Sequence, residues 1–390
     1  MLIVDAHEDL AYNIRSFGRD YTLSALETRS REQGSHTVAV NDDTLLGYPE
    51  YRRGRVAVVF STLFASPQKA SLGELETECY STPQQAYQLY SAQVDTYRRL
   101  TGEHPDKFRL ILARPDLEAV LALWESLPLE PERKSQDNPE DANHPQSNQP
   151  NLGNSFSPEA PVGLVMLMEG AEGVRSVQEL EDWWQRGLRI IGLAWSGNRY
   201  TGGTREPGPL TPAGFALLEG MADLGFGLDL SHMDEKAAMQ ALDTYPGTIL
   251  ASHANATALL KGVEGNRHLP DQVIHGLIGR DGVIGIVPFN KFLDPSWTIK
   301  DGKDKITLQH VVSQIDYICQ LAGDARHVGL GTDFDGGLGW QSVPVEIDTI
   351  ADLQILALRL ANKGYTQADI AAILGANWLT LLRRILPEAL

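Results

Sequence analysis

The chain has 390 residues, 42% hydrophobic and 22% charged, enough for one large barrel with insertions or roughly two or three domains, and not a disordered or fibrous composition. Acids outnumber bases by 51 to 33, a net charge of −18 that repels phosphate backbones and argues against a nucleic-acid partner. Cys79 and Cys319 stand far apart without a CxxC pairing, so neither a disulfide framework nor a thiolate zinc site is expected, and a reducing compartment fits.

The chain opens MLIVDAHEDL, with acids where a signal peptide needs a basic segment, and no apolar run reaches the roughly 18 residues of a membrane span. The expectation is a cytoplasmic protein without membrane association. Along the chain, short runs rich in Val, Ile and Leu recur: Leu2 to Asp5, Val56 to Phe64, Gly163 to Met168, Arg189 to Trp195, Gly225 to Leu230, Thr248 to Ser252, Val283 to Val287 and His327 to Gly331. Each is followed, after a polar break, by a segment with helical spacing, which implies parallel strands joined by crossover helices. Their lack of strict alternation fits strands covered on both faces. The predicted fold is therefore α/β, a single closed (β/α)₈ TIM-type barrel over residues 1–390.

Helix boundaries carry their own signals. Thr82-Pro83 with Gln85 reads as a capping box with proline at the first helical position, and Thr211-Pro212 opens a helix to about Leu224 in the same way. Phe108 to Ala113, followed by a helix from about Pro115 to Leu127, forms an extra piece between the second and third barrel strands. Residues 128–161 are rich in Pro, Asn, Gln, Ser and acids; such a stretch buries too little to order itself and reads as a mobile insertion within the barrel.

The chemistry lies where the chain leaves the strands, the face on which barrel active sites form. His7 and Asp9 are two apart at the first strand's end, so they share a face and can bind one ion; Asp5 points the same way to orient a neighbour, and Glu8 points away. Glu169 ends the third strand beside an apolar run, where a carboxylate is costly without a cation; the other reading is an exposed loop acid turned by Gly170. Two consecutive strands end in Ser-His, at Ser231-His232 and Ser252-His253, placing two imidazoles on neighbouring tips. Taken singly, either could be a core or capping histidine. Carboxylates and imidazoles without thiolate suit Zn²⁺, with Mn²⁺ or Fe²⁺ as alternatives. Asp333, in the glycine-rich run Gly329 to Gly337, is placed to shuttle a proton, or else belongs to an ordinary surface turn, while Asp335 braces the loop.

Together these residues resemble the renal, or membrane, dipeptidase family of the amidohydrolase superfamily. Asp5 to Leu10 looks like its His-x-Asp segment, Glu169-Gly170 its glutamate, and Gly187-Leu188-Arg189 its fourth-strand entry. Asp229 to His232 and Ser252-His253 look like its two histidines, Arg267 to Asp271 its substrate-binding arginine segment, Gly331 to Gly336 its aspartate loop, and Gly375-Ala376-Asn377 its C-terminal helix motif. The resemblance implies a distorted (β/α)₈ TIM-type barrel and a binuclear zinc dipeptidase: His7 and Asp9 on one ion, His232 and His253 on the other, Glu169 bridging, and Asp333 as proton shuttle. A hydroxide shared by the two ions would attack the peptide carbonyl, and Arg267 would bind the free carboxylate of a dipeptide or similar small carboxylated amide. The sequence departs from the family at Leu193-Ala194-Trp195, where dipeptidases usually carry Leu-Thr-His, and at Pro288-Phe289-Asn290, an aromatic position of the pocket wall. Trp195 then takes the place of a substrate-contacting histidine, and a metal-binding barrel with little or no turnover is the alternative. A homodimer is compatible with the sequence, which says nothing more about assembly.

Overall fold

The computed structural model describes residues 1–71, 76–128, 160–263 and 265–389. Most of the polar stretch expected to be a mobile insertion, residues 128–161, lies outside the described residues. Each of the eight apolar runs forms a strand: β1 (Ile3–Glu8), β2 (Val56–Leu63), β3 (Val162–Glu169), β4 (Leu188–Gly192), β5 (Gly227–Asp229), β6 (Ile249–Leu250), β7 (Ile284–Ile286) and β8 (Val328–Leu330). They pair in parallel in chain order, and β8 returns to β1 through the register Asp5 to Leu330. The seam between β6 and β7 is a single bridge from Ala251 to Ile284, which makes the ring a nearly closed (β/α)₈ barrel. Every residue of β1, β2 and β3 is buried, as helices on the outer face require.

The distortion has a visible cause. An extra strand, Phe108–Leu110, pairs with the N-terminal half of β3, from Phe108 opposite Val162 to Leu110 opposite Leu164. Consequently β4 joins β3 only from Met166 onward. Arg189 holds this wedge: its Nε donates to Leu112 O at 2.9 Å, and its Nη1 donates to the carbonyls of Trp184 at 2.7 Å and Leu188 at 2.8 Å.

The sequence signals for helices act as expected. Helix Pro83–Glu103 starts at a capping box, with Thr82 Oγ1 accepting from Gln85 N and Gln85 Oε1 accepting from Thr82 N, each at 3.2 Å. Helix Pro212–Leu224 is capped by Thr211 and ends at Gly225 in the left-handed region. The motif near the C-terminus ties the last helix to β8, since Asn377 Nδ2 donates to Val328 O at 2.8 Å and Trp378 Nε1 to Leu330 O at 2.9 Å. Among the described residues no helix is long and apolar enough to cross a membrane.

Candidate metal centre and substrate pocket

At the C-terminal end of the barrel, His7, Asp9, Glu169, His232, His253 and Asp333 converge. His232 Nε2 lies 3.0 Å and His253 Nε2 3.3 Å from Glu169 Oε1, and His7 Nε2 lies 3.6 Å from Glu169 Oε2. His7 Nε2 is also 3.9 Å from Asp9 Oδ1 and 4.0 Å from Asp333 Oδ1. Two sets are compact enough to hold an ion, His7 with Glu169 and His253, and His7 with Asp9 and Asp333. The rings of His7 and His253 lie 3.6 Å apart, so the histidines of distant strands form one cluster.

Local structure aims each group. Asp9 stands at the N-cap position of helix Leu10–Phe17 but its side chain does not cap it; the carboxylate accepts instead from the Thr62 hydroxyl. Asp5 accepts from Thr332 N at 2.7 Å and from the Thr332 hydroxyl, so it orients β8 against β1. Glu8 leaves the cluster and accepts from the Tyr51 hydroxyl. Asp229 gathers the Ser-His tips, accepting from Ser231 N at 3.0 Å, Ser252 N at 2.8 Å and the Ser252 hydroxyl. Each imidazole is then held from behind, His253 Nδ1 by Ser252 Oγ at 2.8 Å and His232 Nδ1 by Thr204 Oγ1 at 3.0 Å. Such support turns the opposite nitrogen of each ring toward the cluster.

Gly331 is required by packing, because a Cβ there would sit 1.8 Å from Ser252 O. Beyond it, Asp333 adopts φ 58° and is largely buried, so it does not belong to a surface turn. Asp335 braces the loop as expected: it pairs with Arg19 at 2.9 Å and accepts from Tyr21 Oη at 3.0 Å and Leu45 N at 2.9 Å.

The cluster is electrostatically unbalanced. Burial pushes Glu169 up to about 8, against the pull of the nearby Arg267 charge. Burial and the Glu169 charge push Asp9 up to about 6, and burial raises Asp333 well above the usual carboxylate range. The same burial holds His232 and His253 well below the ordinary imidazole value. Neutral imidazoles and crowded carboxyls are the donor set a divalent cation needs. His7 Nε2, buried with no hydrogen-bond partner among the described residues, supplies the independent sign that these residues fit a cation.

A cavity of about 460 Å³ opens over the cluster, with Asp9, Glu169, His232 and Asp333 on its floor. Its lining also includes the rings of Tyr12, Phe17, Phe64 and Trp195, together with Arg205, Asn266 and Arg267. Trp195 lies 5.4 Å from Phe64 and 6.1 Å from His232, ring to ring. Arg267 Nη2 donates to His253 O at 2.9 Å, while its Nη1 is buried without a hydrogen-bond partner among the described residues. Phe289 packs on Phe292 and Trp297, and it is Phe292 that lines the cavity. Thr62, Thr204, Arg205 and Phe292 are contributors that the sequence reading missed. The run TGGTREPGP after β4 carried a signal for two of them, since such a glycine and proline cluster marks a turn beside a strand tip.

Fold and site together define a metal-dependent hydrolase built on a (β/α)₈ barrel. Residues 152–388 match the model of the membrane dipeptidase family, peptidase family M19. The chain belongs to that family, whose members hydrolyse dipeptides with divalent metal. The chain is 32% identical over 234 residues to the uncharacterized protein in pqqA 5′region of Klebsiella pneumoniae, covering 57% of this chain and 82% of that one. Dipeptidase aclJ of Aspergillus oryzae is 24% identical over 394 residues, covering 97% of this chain and 77% of its own. A metallo peptidase from Rhodobacter sphaeroides, solved with a phosphinate mimic of the dipeptide L-Ala-D-Ala, shares the fold at a TM-score of 0.71, with 21% identity and 99% of each chain covered.

Proposed function

We propose that the protein is a binuclear zinc dipeptidase acting on dipeptides or similar small carboxylated amides. His7 and Asp9 would hold one ion and His232 and His253 the other, with Glu169 serving both. The observation that carries the reading is the buried Glu169 carboxylate, within 3.0 to 3.6 Å of three imidazole nitrogens. Two cations there supply what such centres supply generally, a water acidic enough to attack near neutral pH and a polarised carbonyl.

The chain's own residues do the rest. Arg267 binds the free carboxylate with its unpartnered Nη1, which orients the scissile carbonyl over the floor of the cavity. Asp333 takes a proton from the attacking water as the C–O bond forms, then gives it to the leaving amine as the C–N bond breaks. Its burial, which raises its pKa, suits the acid half of that cycle. Trp195 narrows the wall and offers an indole N–H without positive charge, so ordinary dipeptides turn over slowly. The binding-only alternative finds no support among dipeptidase relatives.

The test is metal analysis with a dipeptide panel on protein reconstituted with Zn²⁺. Two ions per chain and turnover of at least one dipeptide are expected. Two ions with no turnover on any carboxylated amide overturn the activity, and fewer than two overturn the centre.

A further inference from the structure

The hairpin formed by Thr201–Gly203 and Glu206–Leu210 folds back over the site, and its tip is held at several points. Thr204 touches the His232 ring from behind, and Gly203 bridges to Met233. Arg205 adopts φ 66°, a conformation side chains rarely take and one that persists only where surroundings enforce it. Here they do: Arg205 N donates to Asn266 Oδ1 at 3.0 Å, and Asn266 Nδ2 donates in turn to Gly203 O at 2.9 Å and Asp234 Oδ2 at 3.0 Å. Asn266 adjoins Arg267, and both arginines line the cavity.

The Arg205 side chain is exposed at the mouth of the cavity. Its neighbour Glu206 pairs with Lys69, and Arg205 itself forms no ion pair among the described residues. With Arg267 it supplies the positive side chains of the cavity lining, where an anionic group of a ligand is favoured. The other charged groups lining the cavity, Asp9, Glu76, Glu169 and Asp333, are acids, and Glu76 takes the Tyr12 hydroxyl at 2.9 Å. Away from the proposed metal centre, an anionic side chain of a substrate therefore meets favourable charge only at Arg205 and Arg267 among the lining residues. A guanidinium suits a carboxylate in particular, through two parallel donors.

We infer that Arg205 is a specificity-determining residue that binds the side-chain carboxylate of an acidic residue at the substrate's C-terminal position, which makes Xaa-Asp and Xaa-Glu the preferred dipeptides. The inference rests on the proposed role of Arg267 in holding the α-carboxylate, because that role places the C-terminal residue against the stretch of lining that Asn266 joins to Arg205.

The experiment compares Ala-Asp with Ala-Asn and Ala-Glu with Ala-Gln, each with an L or D C-terminal residue, on the Zn²⁺-reconstituted full chain and on R205A and R205K. Calorimetric binding of the corresponding phosphinate analogues gives a second readout that does not need turnover. For wild type we expect the acid of each pair to exceed the amide roughly tenfold in kcat/KM, mainly through KM, as for one charge-assisted pair. Salt should erode the preference, since the pair is solvent-accessible. In R205A the ratio should fall close to one, and R205K should recover part of it. An acid-to-amide ratio that is near one in wild type, or unchanged in R205A, overturns the inference, as does an equal loss for acid and amide, which would mean that Arg205 acts on the α-carboxylate. Hydrolysis without acid preference defeats this inference alone, whereas absence of all turnover with tight, acid-selective analogue binding defeats the proposed activity and leaves the specificity standing.

Discussion

At the C-terminal end of the barrel the strand tips hold buried carboxyls and imidazoles, and both His232, at φ 67°, and Asp333, at φ 58°, sit in the left-handed region. At the N-terminal end the corresponding space is filled by the wedge of Phe108–Leu110, Leu112 and Met166 around Gly187, with Arg189 bonded to carbonyls rather than to acids. Both ends carry strain and a buried charge. They differ in what satisfies the charge: at the lower end every bond of Arg189 goes to backbone, and at the upper end His7 Nε2 and Arg267 Nη1 are left over. Buried groups with unspent hydrogen-bonding capacity are costly to stability and useful to chemistry. One end holds the barrel and the other carries the candidate site, so substitutions at the two ends should separate activity from stability.

The largest effect is expected at the upper end. Asp333→Asn puts a carboxamide of the same shape in place of the carboxyl but cannot carry a proton, so kcat on the best dipeptide should fall by a factor of about 10² to 10⁴, with metal content and Tm near wild type. Retention of more than roughly a tenth of kcat would identify another group as the shuttle and remove Asp333 from the chemistry.

An intermediate effect concerns pH. Without metal, Glu169 at about 8 and Asp9 at about 6 hold protons that a cation must displace, whereas the imidazoles, with lowered values, are already neutral near pH 7. The folded carboxyl values are raised, so proton competition weakens as pH rises through about 6 to 8, and Zn²⁺ affinity should climb by up to about tenfold per unit for each proton released. Chelator competition at several pH values measures this, and calorimetry in buffers of different ionisation enthalpy counts the protons. A flat affinity between pH 6 and 8 would remove Glu169 from the ligand set.

The smallest effect on activity belongs to the lower end. Gly187 has φ 99°, and a Cβ there would lie 2.6 Å from Leu112 Cδ2 and 2.8 Å from Met166 Cε. Gly187→Ala should cost about 1 to 3 kcal/mol through backbone strain and overpacking, seen as a lower Tm, while kcat of the folded enzyme stays within about twofold of wild type. A large fall in kcat at unchanged Tm would mean that the two ends are coupled through β3 and β4.

Much of this was legible in the sequence because it depends on local pattern. Eight apolar runs with helical segments between them determine a (β/α)₈ barrel, since parallel strands covered on both faces leave few other arrangements. Ligand types placed where each run ends determine a shared site, because strand tips of a parallel barrel lie on one face. Caps such as Thr82 and Thr211 announce themselves through bonds three residues away. Even the role of Asp335 follows from its place in an acidic turn.

What tertiary structure alone decided depends on contacts between residues far apart in sequence. Thr62 meets Asp9, Thr204 meets His232, and Phe292 rather than Phe289 faces the cavity, and no spacing rule encodes any of these. Strand ends read too long for β4, assigned to Trp195 but ending at Gly192, because the chain remains apolar after it leaves the ladder to wall the pocket. Arg205 and Arg267 come to line one cavity only when a hairpin docks on a loop some sixty residues later in the chain. Composition and periodicity report where a residue sits along its own element; which groups a buried charge finally faces is settled when the elements pack.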